Sequence, residues 1–307
     1  MASRISLVVC SYNMPRELPR TIRSLSPAMQ RGVQASDYEI IIVDNGSTRA
    51  FDENACRQWG ADLRVIRIPA GEADPSPARA LNGAIAEARG ELIGVLIDGA
   101  RLASPGLIQY AAMADRLAAR AVVLTLGFHL GPGLQMDTVP KGYGEAAEDR
   151  LLDEVRWTED GYRLFDISVF ALSSANGWFG PINESNAIFM RKALWTELGG
   201  FDERFRSPGG GLVNLDLHTR AVTLPGACVI TLLGEGTFHQ VHGGVATNAP
   251  PAVFQSFAPE YAAIRGRDFT PPVYTSLYLG SPPANALASI GQSAQQALAR
   301  NAAQRTP

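Results

Sequence analysis

The sequence predicts an α/β fold with a mostly parallel central sheet flanked by helices. Three observations carry this. Short apolar runs recur along the chain, ISLVVC (5–10), YEIIIV (38–43) and IGVLI (93–97) among them. Each stops abruptly at a polar turn, and the segments between them place apolar residues at helical spacing. Runs of that kind suit strands buried on both faces and joined by crossover helices.

Taken in order, Ile5 to Cys10 reads as the first strand, followed by the turn Ser11-Tyr12-Asn13. Pro15 lies near the start of a helix whose Leu18, Ile22 and Leu25 share one face. Tyr38 to Val43 is the second strand, broken by Asp44-Asn45-Gly46-Ser47-Thr48, a turn with no strand directly after it. Leu63 to Ile68 is a third. Pro77 to Ala88 reads as a helix carrying Arg79 and Asn82, with Gly90 as its stop. Ile93 to Ile97 then delivers Asp98 at its carboxyl end, where open α/β sheets bind ligands. A helix from about Pro105 to Arg120 leads to the strand Ala121 to Leu126.

Beyond Gly127 the pattern loosens, and residues 128–164 read as excursion loops with short helices. Ser185 to Met190 resumes an apolar strand, and Arg191 to Leu198 a helix ending at Gly199-Gly200. The cluster Gly209 to Gly211 precedes Val213-Asn214-Leu215-Asp216 and a helix through Ala221. Cys228 to Leu233 is a further strand, and GEGTFHQVHGG after it a Gly-flanked loop holding His239 and His242. The remaining chain lacks strand alternation and ends in an Ala/Gln-rich helix from about Ala284. Its Ala284, Leu287, Ile290 and Ala294 are expected to pack on the domain or on a second copy.

Composition narrows the function classes. The chain has 307 residues, 46% of them hydrophobic and 19% charged, enough for one large α/β domain. A formal net charge of −3 gives no basic footprint for nucleic acid, so none is expected as a partner. Cys10, Cys56 and Cys228 lack CxxC spacing and read as core or isolated thiols. No leader pattern and no apolar run near ~20 residues is seen, so a soluble, cytoplasmic protein is expected.

Four motifs in order, VVCSYN, IIVDNGST, ARALNGAIAEARGELIGVLIDGA and ELGGFDERF, resemble family 2 glycosyltransferases of the GT-A fold over roughly residues 5–244. The resemblance implies a Rossmann-like GT-A domain over residues 1–248, with a nucleotide-sugar half (about 1–126) and an acceptor half (about 127–248). Residues 249–307 would then form a helical extension. It also implies transfer of a sugar from a nucleoside-diphosphate sugar to the hydroxyl of a glycan or lipid-linked acceptor, as in bacterial surface-glycan assembly. Peripheral membrane association and a homo-oligomer stay open.

Carried onto this sequence, the family places the nucleotide against Ser11, Tyr12, Asn13, Asp44 and Asn45, and against Asp98 with Gly99. Arg79 offers a planar donor fork suited to phosphate, and Asn82 lies on the same helix face. Asp98 matches the first Asp of the family's DxD motif, but Ala100 replaces the last and Arg101 follows. That departure puts the Mn²⁺ or Mg²⁺ cofactor in doubt unless another ligand compensates. His242 is the preferred one, giving a metal pair of Asp98 and His242. His239 is assigned beside the sugar. Arg101 or His239 offsetting diphosphate charge without metal is the alternative.

A second departure concerns the base that an inverting transfer needs. Asn214 stands where the family places a carboxylate. Asp216 and Glu184 remain as catalytic candidates, with Asp216 equally open to a bracing role, and retaining transfer also stays open. Trp178, Asn186, Gly210 and Asn214 are assigned to acceptor or sugar. Two rival readings are a non-catalytic sugar-nucleotide or glycan binding protein and a sugar nucleotidyltransferase. The latter is disfavoured because Ser11-Tyr12-Asn13-Met14-Pro15 lacks the glycines of a phosphate loop.

Overall fold

A computed structural model describes residues 4–243 and 255–305. The nucleotide half alternates as expected. It runs β1 (Ile5–Ser11), α1 (Glu17–Ser24), β2 (Tyr38–Asn45), α2 (Glu53–Arg57), β3 (Asp62–Ile68), α3 (Ala78–Glu87), β4 (Leu92–Leu96), β5 (Arg101–Ala103), α4 (Leu107–Leu117) and β6 (Ala121–Leu130). The second half holds α5 (Gln135–Thr138), α6 (Glu145–Val155), β7 (Ser168–Phe170), β8 (Ile188–Arg191), α7 (Lys192–Leu198), α8 (Val213–Val222) and β9 (Cys228–His239). After it come α9 (Ala258–Arg265), β10 (Leu277–Leu279) and α10 (Leu287–Arg305).

The strands form one sheet in the order β10-β9-β6-β8-β4-β1-β2-β3. The pairings of β1 with β2 and β4, β2 with β3, and β9 with β6 and β10 are parallel. β8 runs antiparallel between β4 and β6, and the short β5 and β7 add antiparallel edges to β9 and β6. Burial on both faces follows from the apolar runs. Leu7 and Val9 point into one core with Leu18 and Ile22 of α1, while Val8 and Cys10 point into the other with Leu81 of α3 and Trp195 of α7. Each such fully buried aliphatic side chain stabilises the fold by about 1.5–3 kcal/mol relative to exposure.

Three features differ from the sequence reading. First, β9 does not end at Leu233 but continues to His239, so this histidine lies on a strand. The chain absorbs a bulge there. Leu124 pairs with Thr231 and Leu126 with Gly236, and Gly234 takes a positive φ of 81°. The polar GEGT stretch disguises the strand because its acid is internally bonded. Glu235 accepts hydrogen bonds from the Ser104 hydroxyl, from Gly106 N (3.0 Å) and from the Tyr162 hydroxyl (2.7 Å).

Second, the C-terminal extension is not purely helical, because β10 extends the sheet beside β9. Third, the buried face of the final helical segment centres on Ala286 and Ser293, whereas Leu287 is exposed. Ser293 Oγ receives Trp178 N, and Arg300 donates to the carbonyls of Asn176 and Phe179. The segment therefore packs on residues 176–180 through a stripe rotated from the one expected. The domain boundary expected at 248/249 lies outside the described residues.

Candidate active site at the strand ends

The carboxyl ends of β1, β2 and β4 open on one side of the sheet, and β9 delivers His239 beside them. After β4 the chain turns through Asp98 and Gly99 before β5 runs back along β9, with Arg101 opposite His239. A Cβ at Gly99 would lie 2.7 Å from the Cys10 carbonyl oxygen, so the turn rests on β1 only because the residue is glycine. Asp98 Oδ1 accepts Ala100 N at 2.9 Å, which leaves Oδ2 facing β9. His239 Nε2 lies 2.9 Å from that oxygen and His242 Nε2 lies 3.5 Å from it, with 3.2 Å between the two imidazoles.

The protonation pattern makes this cluster unusual. Gln135 Nε2 donates to the His239 carbonyl at 2.9 Å, so its Oε1 faces His239 Nδ1 at 2.7 Å. Nδ1 must then carry the hydrogen, and a neutral His239 presents only a lone pair at Nε2. Burial pushes the His239 imidazolium down to about 4 despite the neighbouring Asp98, so the ring is neutral at pH 7. Its lone pair therefore meets a carboxylate oxygen and a second imidazole. A cation there, either a metal ion or the His242 imidazolium itself, would satisfy all three groups. Burial would raise Asp98, but the adjacent His242 outweighs it and holds the carboxyl well below its usual range. His242 shifts upward; burial lowers it, and Asp98 more than compensates.

These donors fit a metal ion. Asp98, His239 and His242 each offer one ligand atom, all within 4.8 Å of one another. The Gln135 bond to the far nitrogen of His239 is the outer-shell contact that orients a metal-binding imidazole. The segment leading to His242 is also held. Val241 N donates to the buried carboxylate of Glu148 at 2.7 Å, and Gln240 Nε2 donates to the Glu17 carbonyl at 3.1 Å. His239 thus lies in the same cluster as Asp98 and His242. Gln135 and Glu148 went unnoticed in the sequence, since each reaches the site across 104 and 93 residues with no spacing signal.

A second feature borders this cluster. Asn214 Nδ2 donates to Glu184 Oε1, joining the start of α8 to the segment before β8. Burial lifts the Glu184 carboxyl above its ordinary value, with Asp98 adding to the rise and Arg101 and Asn214 opposing it. The charges of Asp98 and Arg101 are both felt at Glu184, so this carboxylate lies near the Asp98 cluster. Asn186 is buried close by, and a Cβ on Gly127 would lie 2.3 Å from its Nδ2. Asn186 is thus wedged against the β6 backbone.

The nucleotide candidates divide. Ser11 Oγ is buried at the end of β1 with no hydrogen-bond partner among the described residues, and Tyr12 is exposed. Asp44 is buried and accepts Ser47 N at 3.2 Å. Asn13 takes a positive φ of 54° and accepts Thr48 N and Arg49 N, each at 2.8 Å, so its side chain ties two loops together. Asn45 and Arg79 face a cavity of about 490 Å³ that Ile66, Ile68 and Asp74 also line. Arg79 is largely exposed there, 3.9 Å from Asp74.

Three assignments are corrected. Asn82 bonds Phe201 N (2.8 Å), the Phe201 carbonyl (2.9 Å) and Glu203 (3.0 Å), so it fastens α3 to the Gly-Gly-Phe-Asp turn and has no amide left for a nucleotide. Trp178 is 1% exposed, donates to the Leu232 carbonyl and packs among Phe128, Phe165 and Phe170, so no sugar can stack on it. Asp216 is 1% exposed and ion-paired with both Arg220 and Arg265, which makes it a brace between α8 and α9 rather than a free base. Gly210 has a positive φ of 87°, between Gly209 at 69° and Gly211 at 51°. That run lies against Pro75 and Pro77.

A parallel sheet interrupted by one antiparallel strand, with a carboxylate and two imidazoles at its strand ends, defines a GT-A-type domain. Residues 6–111 match the family described as Glycosyl transferase family 2. That match spans about a third of the chain, the part that carries β1 to β4 and the Asp98 turn. No curated protein sequence matches it. Among solved structures, a 1–349 fragment of Staphylococcus aureus TarS in complex with UDP-GlcNAc aligns with a TM-score of 0.54 and 15% identity, covering 84% of this chain and 66% of that one. The same fragment with UDP gives 0.52 and 16%, covering 85% of this chain, which spans 64% of the fragment's length. The Pyrobaculum calidifontis mannosyltransferase PcManGT, in complex with GDP-Man and Mn²⁺, gives 0.50 and 19%, covering 100% of this chain and 77% of that one. At such identities the likeness speaks for the fold. No helix among the described residues is long and apolar enough to cross a membrane.

Proposed function

We propose that the protein transfers a sugar from a nucleoside-diphosphate sugar to an acceptor hydroxyl with inversion, using Glu184 as the base and a divalent cation on Asp98, His239 and His242. The observation that carries this reading is the lone pair of His239 aimed at Asp98 beside the Asn214-held carboxylate of Glu184. Two imidazoles and one carboxylate favour a transition ion, and Mn²⁺ over Mg²⁺. Asp98, His239 and His242 would hold the cation, which would supply charge neutralisation for the departing diphosphate.

The chain's own groups supply the rest. Asp44 and Tyr12 hold the nucleotide at the ends of β2 and β1, and the unpartnered Ser11 hydroxyl offers it one further hydrogen bond. Glu184 accepts the acceptor's hydroxyl proton as that oxygen bonds to the anomeric carbon and the carbon–phosphate oxygen bond breaks. Asn214 keeps the carboxylate oriented. Its amide stands where the family places the base, so the acid and its partner have changed places in the chain.

The acceptor is a glycan or a lipid-linked glycan, assembled at the cytoplasmic face of a bacterial membrane with which the protein associates peripherally. The resemblance supports this finer reading. The test is direct: the protein is incubated with UDP- and GDP-sugars, Mn²⁺ and a glycan panel, and diphosphate release and product mass are followed. Product formed with one donor class, and lost in Glu184→Gln, is expected. Binding of donor without turnover under every condition would instead favour a non-catalytic sugar-nucleotide binding protein.

A further inference from the structure

Arg101 follows the Asp98 turn and is 6% exposed, yet its Nε and Nη1 have no hydrogen-bond partner among the described residues. A buried guanidinium without partners costs several kcal/mol, so a position that retains one calls for an anion. The neighbouring acids do not supply it. Asp98 is engaged with His239 and His242, and Glu184 with Asn214. No ion pair within 4.0 Å joins Arg101 to either acid among the described residues.

The backbone fixes where this charge sits. Arg101 pairs with His239 across the β5–β9 ladder, and His239 pairs in turn with His129 of β6. Residues directly opposite in a ladder project from the same face, so Arg101 lies beside the ligand histidine. Its charge acts on His239, His242 and Glu184 alike. It therefore lies within reach of both the cluster that would meet the diphosphate and the carboxylate that would face the sugar. Ala100, at the position of the missing carboxylate, is fully buried and offers nothing to the cleft.

We infer that Arg101 binds the sugar-bearing phosphate of the donor, taking over charge neutralisation that the DxD motif's last carboxylate would otherwise deliver through the metal. A guanidinium presents a planar fork to two phosphate oxygens, a geometry that an ammonium cannot reproduce. The inference rests on the nucleotide-sugar reading above, and its test separates the two.

The measurement is calorimetric affinity for UDP, UMP, GDP and GMP at fixed Mn²⁺, on the wild type, Arg101→Gln and Arg101→Lys. For the nucleotide the wild type prefers, Arg101→Gln should weaken the diphosphate roughly ten- to a hundredfold and leave the monophosphate within about threefold. Arg101→Lys should lie between. A ratio of diphosphate to monophosphate affinity that matches the wild type in both variants overturns the inference and leaves the donor reading intact. A wild type that binds none of the four nucleotides overturns the donor reading, and the inference with it. Thermal midpoints without nucleotide provide a second readout. A ligand-binding role leaves the Arg101→Gln midpoint equal to or above wild type, because a buried unpaired charge has been removed, whereas a bracing role lowers it. Should Arg101→Gln not fold, the affinity ratio of Arg101→Lys decides.

Discussion

Asn214 gives an amide hydrogen to Glu184 across 30 residues, so the start of α8, which lacks a carboxylate of its own at that position, is joined to one from the segment before β8. An amide is no useful proton acceptor, but it can fix the orientation of a carboxylate.

Glu184→Gln should accordingly lower kcat by roughly 10²–10⁴-fold with little change in donor KM. Asn214→Ala should cost less in rate. It should also move the acidic limb of the kcat/KM profile upward in pH, since the Asn214 hydrogen bond works against the rise that burial imposes on Glu184. An Asn214→Ala profile identical to wild type would remove Asn214 from the assembly.

The cation site is testable without turnover. Calorimetric titration of the protein with MnCl₂ should show one site, weakened at least about 100-fold by Asp98→Asn or His239→Ala. Gln135→Ala, which frees the far nitrogen of His239, should weaken it about 10–100-fold. Equal Mn²⁺ affinity in wild type and His239→Ala would rule the cluster out as the site.

Asp216 is read as a brace, and its removal should act on stability. Asp216→Ala leaves Arg220 and Arg265 without their shared carboxylate. A loss of roughly 3 kcal/mol in urea unfolding is expected, with kcat of the folded fraction near wild type. A full-stability variant with no activity would restore the residue to catalysis. Trp178→Phe should likewise cost about 1–2 kcal/mol, from the lost bond to the Leu232 carbonyl, without altering donor KM.

Glu235 sets a pH dependence. Burial raises its carboxyl from 4.5 to about 7, against the opposing hydrogen bonds of Ser104, Tyr162 and Gly106. The folded state then holds a proton that the unfolded chain has already released. This contribution is therefore fully present below the unfolded value of 4.5 and is lost as pH rises through about 7. Wild type should lose on the order of 2 kcal/mol relative to Glu235→Gln between pH 4.5 and 8. Parallel stability curves for the two proteins over that window would show that Glu235 does not titrate there.

Much of this protein was legible in its sequence. The strands β1, β2 and β4, the turn at Asp98 and the histidines after Cys228 are local facts, written in apolar runs that end at polar turns. Those patterns follow from backbone geometry and burial, which a short window of residues already determines. Even the vacancies at Ala100 and Asn214 could be read directly. The groups gathered beside them could not. Whether His239 sat on a loop or on the end of β9 depended on a bulge whose acid is satisfied by Ser104, Gly106 and Tyr162, residues far away in the chain. Asn82, Trp178 and Asp216 carried plausible chemistry until their partners were known, and those partners spend their hydrogen bonds and charges on packing. Residue type fixes what a side chain is able to do, through its donors, acceptors and charge. Only the tertiary structure decides which of them remain unpaired and therefore free to act, because desolvation and hydrogen bonding depend on neighbours that sequence spacing does not encode.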